Sequence, residues 1–484
     1  MEMKGKRQIF LFYAGVFLLH AGFQGVFALV SSLNIKEGLG TTSLSVAFAV
    51  SLPVILLTPF LSEVVGIKRF LLLSEIFCLL YVMANSISSY YTLIPAGFLF
   101  GFGEAVSWTM ILVIGSYFSH KSLKHQFARE SLHTGYLFAA TQGGRCFSNA
   151  IAFLCLFVDR QISNSFQFNR TLNLDVCGTN DCQISNITTA NFQQYTPIHK
   201  ATRYVTIAVF ALLLTASLFT HILCIPNYIS NQLSDLSKGS SRNLAENGLT
   251  AVITPDNYVS ADGDLLTKSF EEDAIRKPTD ADVKIKAIDL LKMCTKSMVE
   301  LFLQPKHLLI VLMPVYVGTT MAFVMSELTR SFASCMLGVD KVCICVVIFA
   351  ATQSLVSLLT GKLSAKYGRN LPFLTGFLVE LVTYCFCLTW LPSQDTTALV
   401  YVIFLLFGIS SGILVSLVNA TFGHYLSEQK SLALNFWNLW MNLGYFIQFA
   451  ISKFACVYVK IYLQIGLLVT SFIGYGISQR VYYR

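Results

Sequence analysis

Four ionisable side chains stand deep inside apolar stretches of this chain: His20, Glu104, Arg145 and Glu380. A charge near a bilayer centre costs about 2.5–3.5 kcal/mol on insertion scales, so each calls for a partner or a purpose. Arg145 is the only Lys or Arg near the middle of such a stretch, eleven residues into 134–157, and Glu104 lies about twelve residues into 92–117. At about 1.5 Å per residue both reach mid-depth on neighbouring antiparallel helices, and they are expected to pair or to share a polar cluster, with His20 at the same depth. Such a pair binds a charged solute, shuttles protons or only locks two helices together. His20 lies at similar depth. Its imidazole suits proton coupling, and the plainer alternative is a neutral ring hydrogen-bonded inside the bundle. Glu380 has no basic residue at hand and is the better single candidate for a protonatable site. Glu75 is a turn or two from a helix end and is expected to snorkel. Glu327, with Arg330 at i+3, reads as a helix-surface pair.

These residues belong to a chain that is 54% apolar and 12% charged over 484 residues, too little charge to cover a soluble protein of this size. About 20 apolar residues cross the hydrocarbon of a bilayer. Twelve stretches qualify: 9–30, 44–65, 70–89, 92–117, 134–157, 203–225, 307–328, 342–361, 371–391, 398–422, 432–452 and 457–478. The first is too long for a signal-peptide core and lacks a clear cleavage site, so it reads as a retained helix.

Between the second and third stretch of each half lies a related turn. The first copy contains Leu61-Ser62, Glu63, Gly66, Lys68 and Arg69; the second contains Gly361, Leu363-Ser364, Gly368 and Arg369. In both, Gly follows Ser by four positions and a base follows within two more. Repetition at that distance predicts an all-α membrane protein of the major facilitator fold, twelve transmembrane helices in two six-helix bundles. Gly allows a tight turn, and the bases are placed to contact carboxylates or helix C-termini, contacts that bias one conformation against another. Glu63 is the acidic member of the first copy; Ala365 stands at that place in the second.

Lys and Arg in the short connections set orientation. With the N-terminus inside, the cytosolic segments hold 14 of them and the outer loops five, Lys36, Arg330, Lys341, Lys453 and Lys460. Both termini are therefore expected in the cytosol, and the formal charge of +8 reflects topology, not a nucleic-acid surface.

The division that follows is a first bundle over 1–225, a cytosolic linker over 226–306 and a second bundle over 307–484. Outer loop 158–202 contains sequons at Asn169 and Asn186, both expected to be glycosylated. It also contains Cys177 and Cys182, for which a short-range disulfide is favoured on the oxidising side, with Cys335 as a competing partner. The other cysteines read mostly as small apolar fillers. The linker is polar up to about Asp282 and then turns amphipathic, as a helix on the inner leaflet or a plain surface helix. No nucleotide, zinc or nucleophile-elbow pattern stands in a soluble context, so neither enzyme activity, metal nor cofactor is expected.

Several blocks resemble the Unc-ninety-three family, and within it the A-type homologues: Ser31-Ser32-Leu33, Glu37 to Gly40, Tyr91 to Pro95, Cys177 to Cys182, and Gly361 to Arg369. Most specific is Phe323 to Gly338, with Glu327, Thr329, Arg330, Ser331 and Cys335; Asn435-Phe436-Trp437 with Trp440 and Gly444 carries the similarity to the last helices. Glu104 and Arg145 are departures from that pattern, as is the apolar Leu417-Val418 before Asn419. The resemblance implies a transporter fold used for regulation: one relative is accessory to a two-pore-domain potassium channel, another escorts Toll-like receptors. It therefore implies a non-enzymatic accessory protein of the plasma membrane that modulates a potassium channel. The alternatives are a proton- or ion-coupled solute transporter and a trafficking chaperone for membrane receptors. Lipid and a membrane-protein partner are expected, nucleic acid is not.

Overall fold

The computed structural model describes residues 2–34, 38–122, 126–162, 174, 177–182, 200–225, 305–425 and 430–482. Among them there is no strand. In lipid every backbone polar group must be satisfied inside the protein, and a long apolar stretch meets this on its own by forming a helix. The first half contains α1 (Glu2–Leu33), α2 (Leu39–Val65), α3 (Ile67–Ala84), α4 (Tyr90–Ser122), α5 (Gln126–Ile162) and α6 (Lys200–Cys224). The second contains α7, in consecutive segments Pro305–Ile310, Leu312–Phe323, Val324–Ser334 and Cys335–Leu337, followed by α8 (Val339–Tyr367) and α9 (Asn370–Thr389). It closes with α10 (Leu399–Tyr425), α11 (Lys430–Ser452) and α12 (Val457–Tyr482). Nine of the described helices are long and apolar enough to cross a membrane.

Burial separates inner from outer helices. The apolar part of α1 is 89% buried and that of α7 78%, against 33% for α6 and 39% for α9 and α12. Leu212, Phe219 and Leu223 on α6 and Leu378 and Val382 on α9 are exposed, forming faces suited to acyl chains. The two halves meet through α1 with α7, α2 with α11 and α5 with α8. Ser32 bonds Ser334 at 2.7 Å, and Ser51 Oγ donates to Asn442 Oδ1 at 3.0 Å. Phe48 stacks on Tyr445 at 4.5 Å and on Phe449 at 5.5 Å. These contacts run from mid-helix to the end carrying residues 177–182.

The two related turns also match in backbone. Gly66 ends α2 with φ 87° and Gly368 ends α8 with φ 79°. A Cβ on Gly368 would meet nothing within 4 Å, so conformation and not crowding requires glycine there. Beside the first turn, Lys68 Nζ donates to the Ile222 carbonyl at 3.0 Å, near the C-terminus of α6. Glu63 and Gly361 sit in the last turns of α2 and α8, and Arg369 immediately precedes α9. Asn169, Asn186 and linker positions 226–304 lie outside the described residues.

Candidate functional site

Three charged centres are built into the helices. The largest lies where the 177–182 segment caps the second half. Segment Val324–Ser334 of α7 is a π-helix, a form concentrated at functional sites, and all its residues are buried. Arg330 Nη2 donates to Glu327 Oε2 at 2.9 Å and stands 3.3 Å from Asp181 Oδ2. Lys460 Nζ, from the first turn of α12, reaches the other Glu327 oxygen at 2.9 Å and donates to the Ser452 carbonyl at 2.8 Å. Ser331 donates to Asp181 at 2.7 Å, and Ser452 donates to Glu327. Two carboxylates balance two cations, which makes burial of all four tolerable. The expected surface pair Glu327–Arg330 is thus corrected to a buried four-charge assembly. Lys460, counted among the outer-loop bases, and Asp181 supply the partners that spacing along one helix does not reveal.

Two disulfides frame this assembly, Cys177–Cys335 and Cys182–Cys456. The short-range Cys177–Cys182 bond is not made, and Cys456, read as filler, is a bonded partner. A 3-10 turn, Gly178–Asn180, separates the loop cysteines, sending one toward α7 and the other toward the start of α12. The Val457 amide donates to the Asp181 carbonyl at 3.1 Å, fixing the turn between them. Thr329 bonds Ser31 of α1 at 3.4 Å, so the same π-helix touches the first half.

The second centre lies at mid-depth between the halves. His20 Nδ1 donates to the Val16 carbonyl at 2.9 Å, and its ring packs beside Phe23 and Trp108. Glu104 and Arg145 make no ion pair with each other. Both lie near Tyr445 of α11, while Nε and Nη1 of Arg145 are buried without a hydrogen-bond partner. Similar depth does not make the side chains face one another: α4 packs chiefly on α2 and α3, α5 on α1 and α8. Gln142 Oε1 and Asn149 Oδ1, on the same α5, are likewise buried without hydrogen bonds.

The third centre is Glu380 on α9, 1% exposed, with neither carboxylate oxygen in a hydrogen bond. A further pair escaped the sequence reading. Glu75 does not snorkel: it is buried between α3 and α6 and bonded to His221 Nδ1, with Ser217 Oγ at 3.4 Å from its other oxygen. Gly15 of α1 makes room for that imidazole, since a Cβ there would fall on the His221 ring. One signal was available, a histidine recurring on the apolar face of α6 a turn after Ser217. Among the described residues no group of His, Cys, Asp and Glu is arranged to hold a metal.

Comparison with known proteins agrees with this architecture. The Major Facilitator Superfamily model matches residues 308–477. Protein unc-93 homolog A of Homo sapiens is 26% identical over 483 residues, covering 98% of this chain and 93% of that one. The Xenopus laevis homolog A is also 26% identical, over 479 residues covering 98% and 93%. Over 192 residues, 38% of this chain and 27% of the relative, the identity is 25% to an unc-93 protein of Caenorhabditis elegans named as a candidate potassium channel regulatory protein. Among solved structures, the peptide transporter POT superposes with TM-score 0.59 at 10% identity, covering 98% of this chain and 94% of that one. The nucleoside transporter NupG gives 0.57 at 10% identity, covering 97% and 99%. At that identity the likeness concerns the fold alone. Nearly the whole length of the homolog A proteins is matched and the C-terminal half carries the superfamily pattern; the chain is similar from end to end to the unc-93 homolog A proteins, on a fold shared with major facilitator transporters.

Proposed function

We propose that this integral membrane protein is a regulator built on a transporter fold, acting on a membrane-protein partner, with a potassium channel as the favoured class. Its location is the plasma membrane, with both termini and the 226–306 linker cytosolic and the 158–202 loop outside. The observation that carries this reading is the sealed end of the molecule. There the balanced Asp181–Arg330–Glu327–Lys460 assembly and two disulfides bind the loop to the second half, and Ser32–Ser334 joins the halves, with the Phe48–Tyr445 stack joining them nearer mid-helix. Alternating access requires that end to part. A regulator works with it shut. The C. elegans relative's name supports the choice of channel.

The test is proximity labelling in cells, with channel currents recorded for the wild type and for Ser32→Cys/Ser334→Cys oxidised to a cross-link. Labelling of a potassium channel, with modulation retained in the cross-linked form, supports the proposal. Absence of any channel, or modulation lost on cross-linking and regained on reduction, sinks it.

A second reading rests on Arg145. Its unpaired nitrogens at mid-depth between the halves suit a carboxylate or phosphate solute. Uptake of a labelled organic anion, abolished in Arg145→Gln at equal surface expression, would favour transport.

A further inference from the structure

We propose that Glu380, with the hydroxyls of Tyr316, Thr320 and Ser410, forms a site for one dehydrated monovalent cation of the sodium class inside the second half. The site goes beyond the regulatory reading and stands or falls independently of it.

The position excludes ordinary ways of carrying a carboxylate. Glu380 is eleven residues into the 20-residue α9, so about 15 Å of helix separates it from either end and snorkelling is out of reach. Among the described residues no Lys, Arg or His stands within ion-pair distance of it. Leaving an ionised carboxylate in hydrocarbon-like surroundings is costly enough that a proton or a metal cation must neutralise it.

The surroundings favour a metal cation. The hydroxyls of Tyr316 and Thr320 on α7 and Ser410 on α10 face the carboxylate, and Tyr384 lies one turn along α9. Neither oxygen of Glu380, nor the hydroxyl of Tyr316, completes a hydrogen bond, although both side chains are over nine-tenths buried. Ser410 already donates its proton to the Phe407 carbonyl at 3.2 Å, which leaves oxygen lone pairs free for a ligand. Thr320 donates to Gln464 Oε1 at 3.4 Å and bonds the Tyr384 hydroxyl at 3.1 Å, so its orientation too is set from behind. Gln464 is held by Thr319 at 2.9 Å and donates to Gln448 at 3.0 Å. Every donor atom facing the centre is oxygen, the set preferred by hard cations, and one negative charge matches one monovalent ion. Close packing builds the site: a Cβ on Gly376, one turn before Glu380, would stand 3.0 Å from Ile413, and this approach brings Ser410 of α10 alongside.

The experiment is thermal unfolding of the full-length protein in phosphatidylcholine nanodiscs, in sodium chloride against choline chloride at equal ionic strength and pH. The expected result is a saturable rise in Tm of several degrees with sodium, because a ligand that binds only the folded state stabilises it by mass action. Lithium or potassium arms rank the ion. Glu380→Gln should lose the rise. Tyr316→Phe and Ser410→Ala, which keep the fold's volume, should shift half-saturation at least several-fold and decide the matter if Glu380→Gln misfolds. Equal Tm in sodium and choline, or an undiminished sodium response in all three variants, overturns the proposal. A Tm that moves with pH alone also overturns it and assigns Glu380 a proton instead.

Discussion

Lys460 Nζ lies 2.9 Å from Glu327 Oε1 with neither side chain exposed, joining the first turn of α12 to the π-helical part of α7. Substituting Glu327 by Gln leaves two buried cations facing one carboxylate. Loss of one partner from a buried ionic group costs about 3–5 kcal/mol. Glu327→Gln is therefore expected to lower Tm strongly and to reduce surface expression. Unfolding in nanodiscs, compared with a conservative control such as Leu212→Ile on the exposed face of α6, measures it.

The cysteine pairing yields a direct chemical check. Non-reducing peptide mapping should recover Cys177 joined to Cys335 and Cys182 joined to Cys456. Cys456→Ser should free Cys182 for alkylation and leave the other bond intact. Recovery of a Cys177–Cys182 peptide would refute the arrangement.

Arg145 and Arg330 should respond in opposite directions to the same change. Arg330→Met removes a cation from between two carboxylates and should destabilise by about 3–5 kcal/mol. Arg145 has buried nitrogens with no hydrogen bonds, so Arg145→Met relieves a desolvation cost and should be neutral or stabilising. Matched Tm values for the two variants distinguish a structural cation from one kept for another purpose.

Gly15 tests the hidden pair between Glu75 and His221. Gly15→Ala places a methyl on the imidazole and forces α1 and α6 apart. Overpacking of this kind costs about 1–3 kcal/mol. His221→Ala should rescue the fit of Gly15→Ala while leaving Glu75 without its partner, so the double variant should fall short of wild type. A double-mutant cycle on Tm reads both effects.

Much of the architecture is legible along the chain. The apolar stretches place the helices because a helix crossing lipid bonds its own backbone, a requirement met locally. The matching turns at Gly66 and Gly368 are visible as a repeat because positive φ selects glycine wherever it occurs. Depth is also legible: a residue count times the helical rise puts Arg145 and Glu380 near mid-helix before any packing is known. The family blocks from Phe323 to Gly338 belong to the same local kind of information.

Facing is not local. A count along α4 and α5 fixes the heights of Glu104 and Arg145, but their azimuths depend on which neighbours each helix packs against, and there the expected pair came apart. Glu327 acquired Lys460, and Cys182 acquired Cys456, across separations of more than a hundred residues. His221 met Glu75 because glycine at position 15 lets α1 approach the ring. The sequence by itself determined the class, the helices, the repeated turns and the likeness to the unc-93 homolog A proteins. Only the tertiary structure decided which charges and thiols meet, because partners are selected by helix rotation and packing in three dimensions, to which spacing within a single helix is blind.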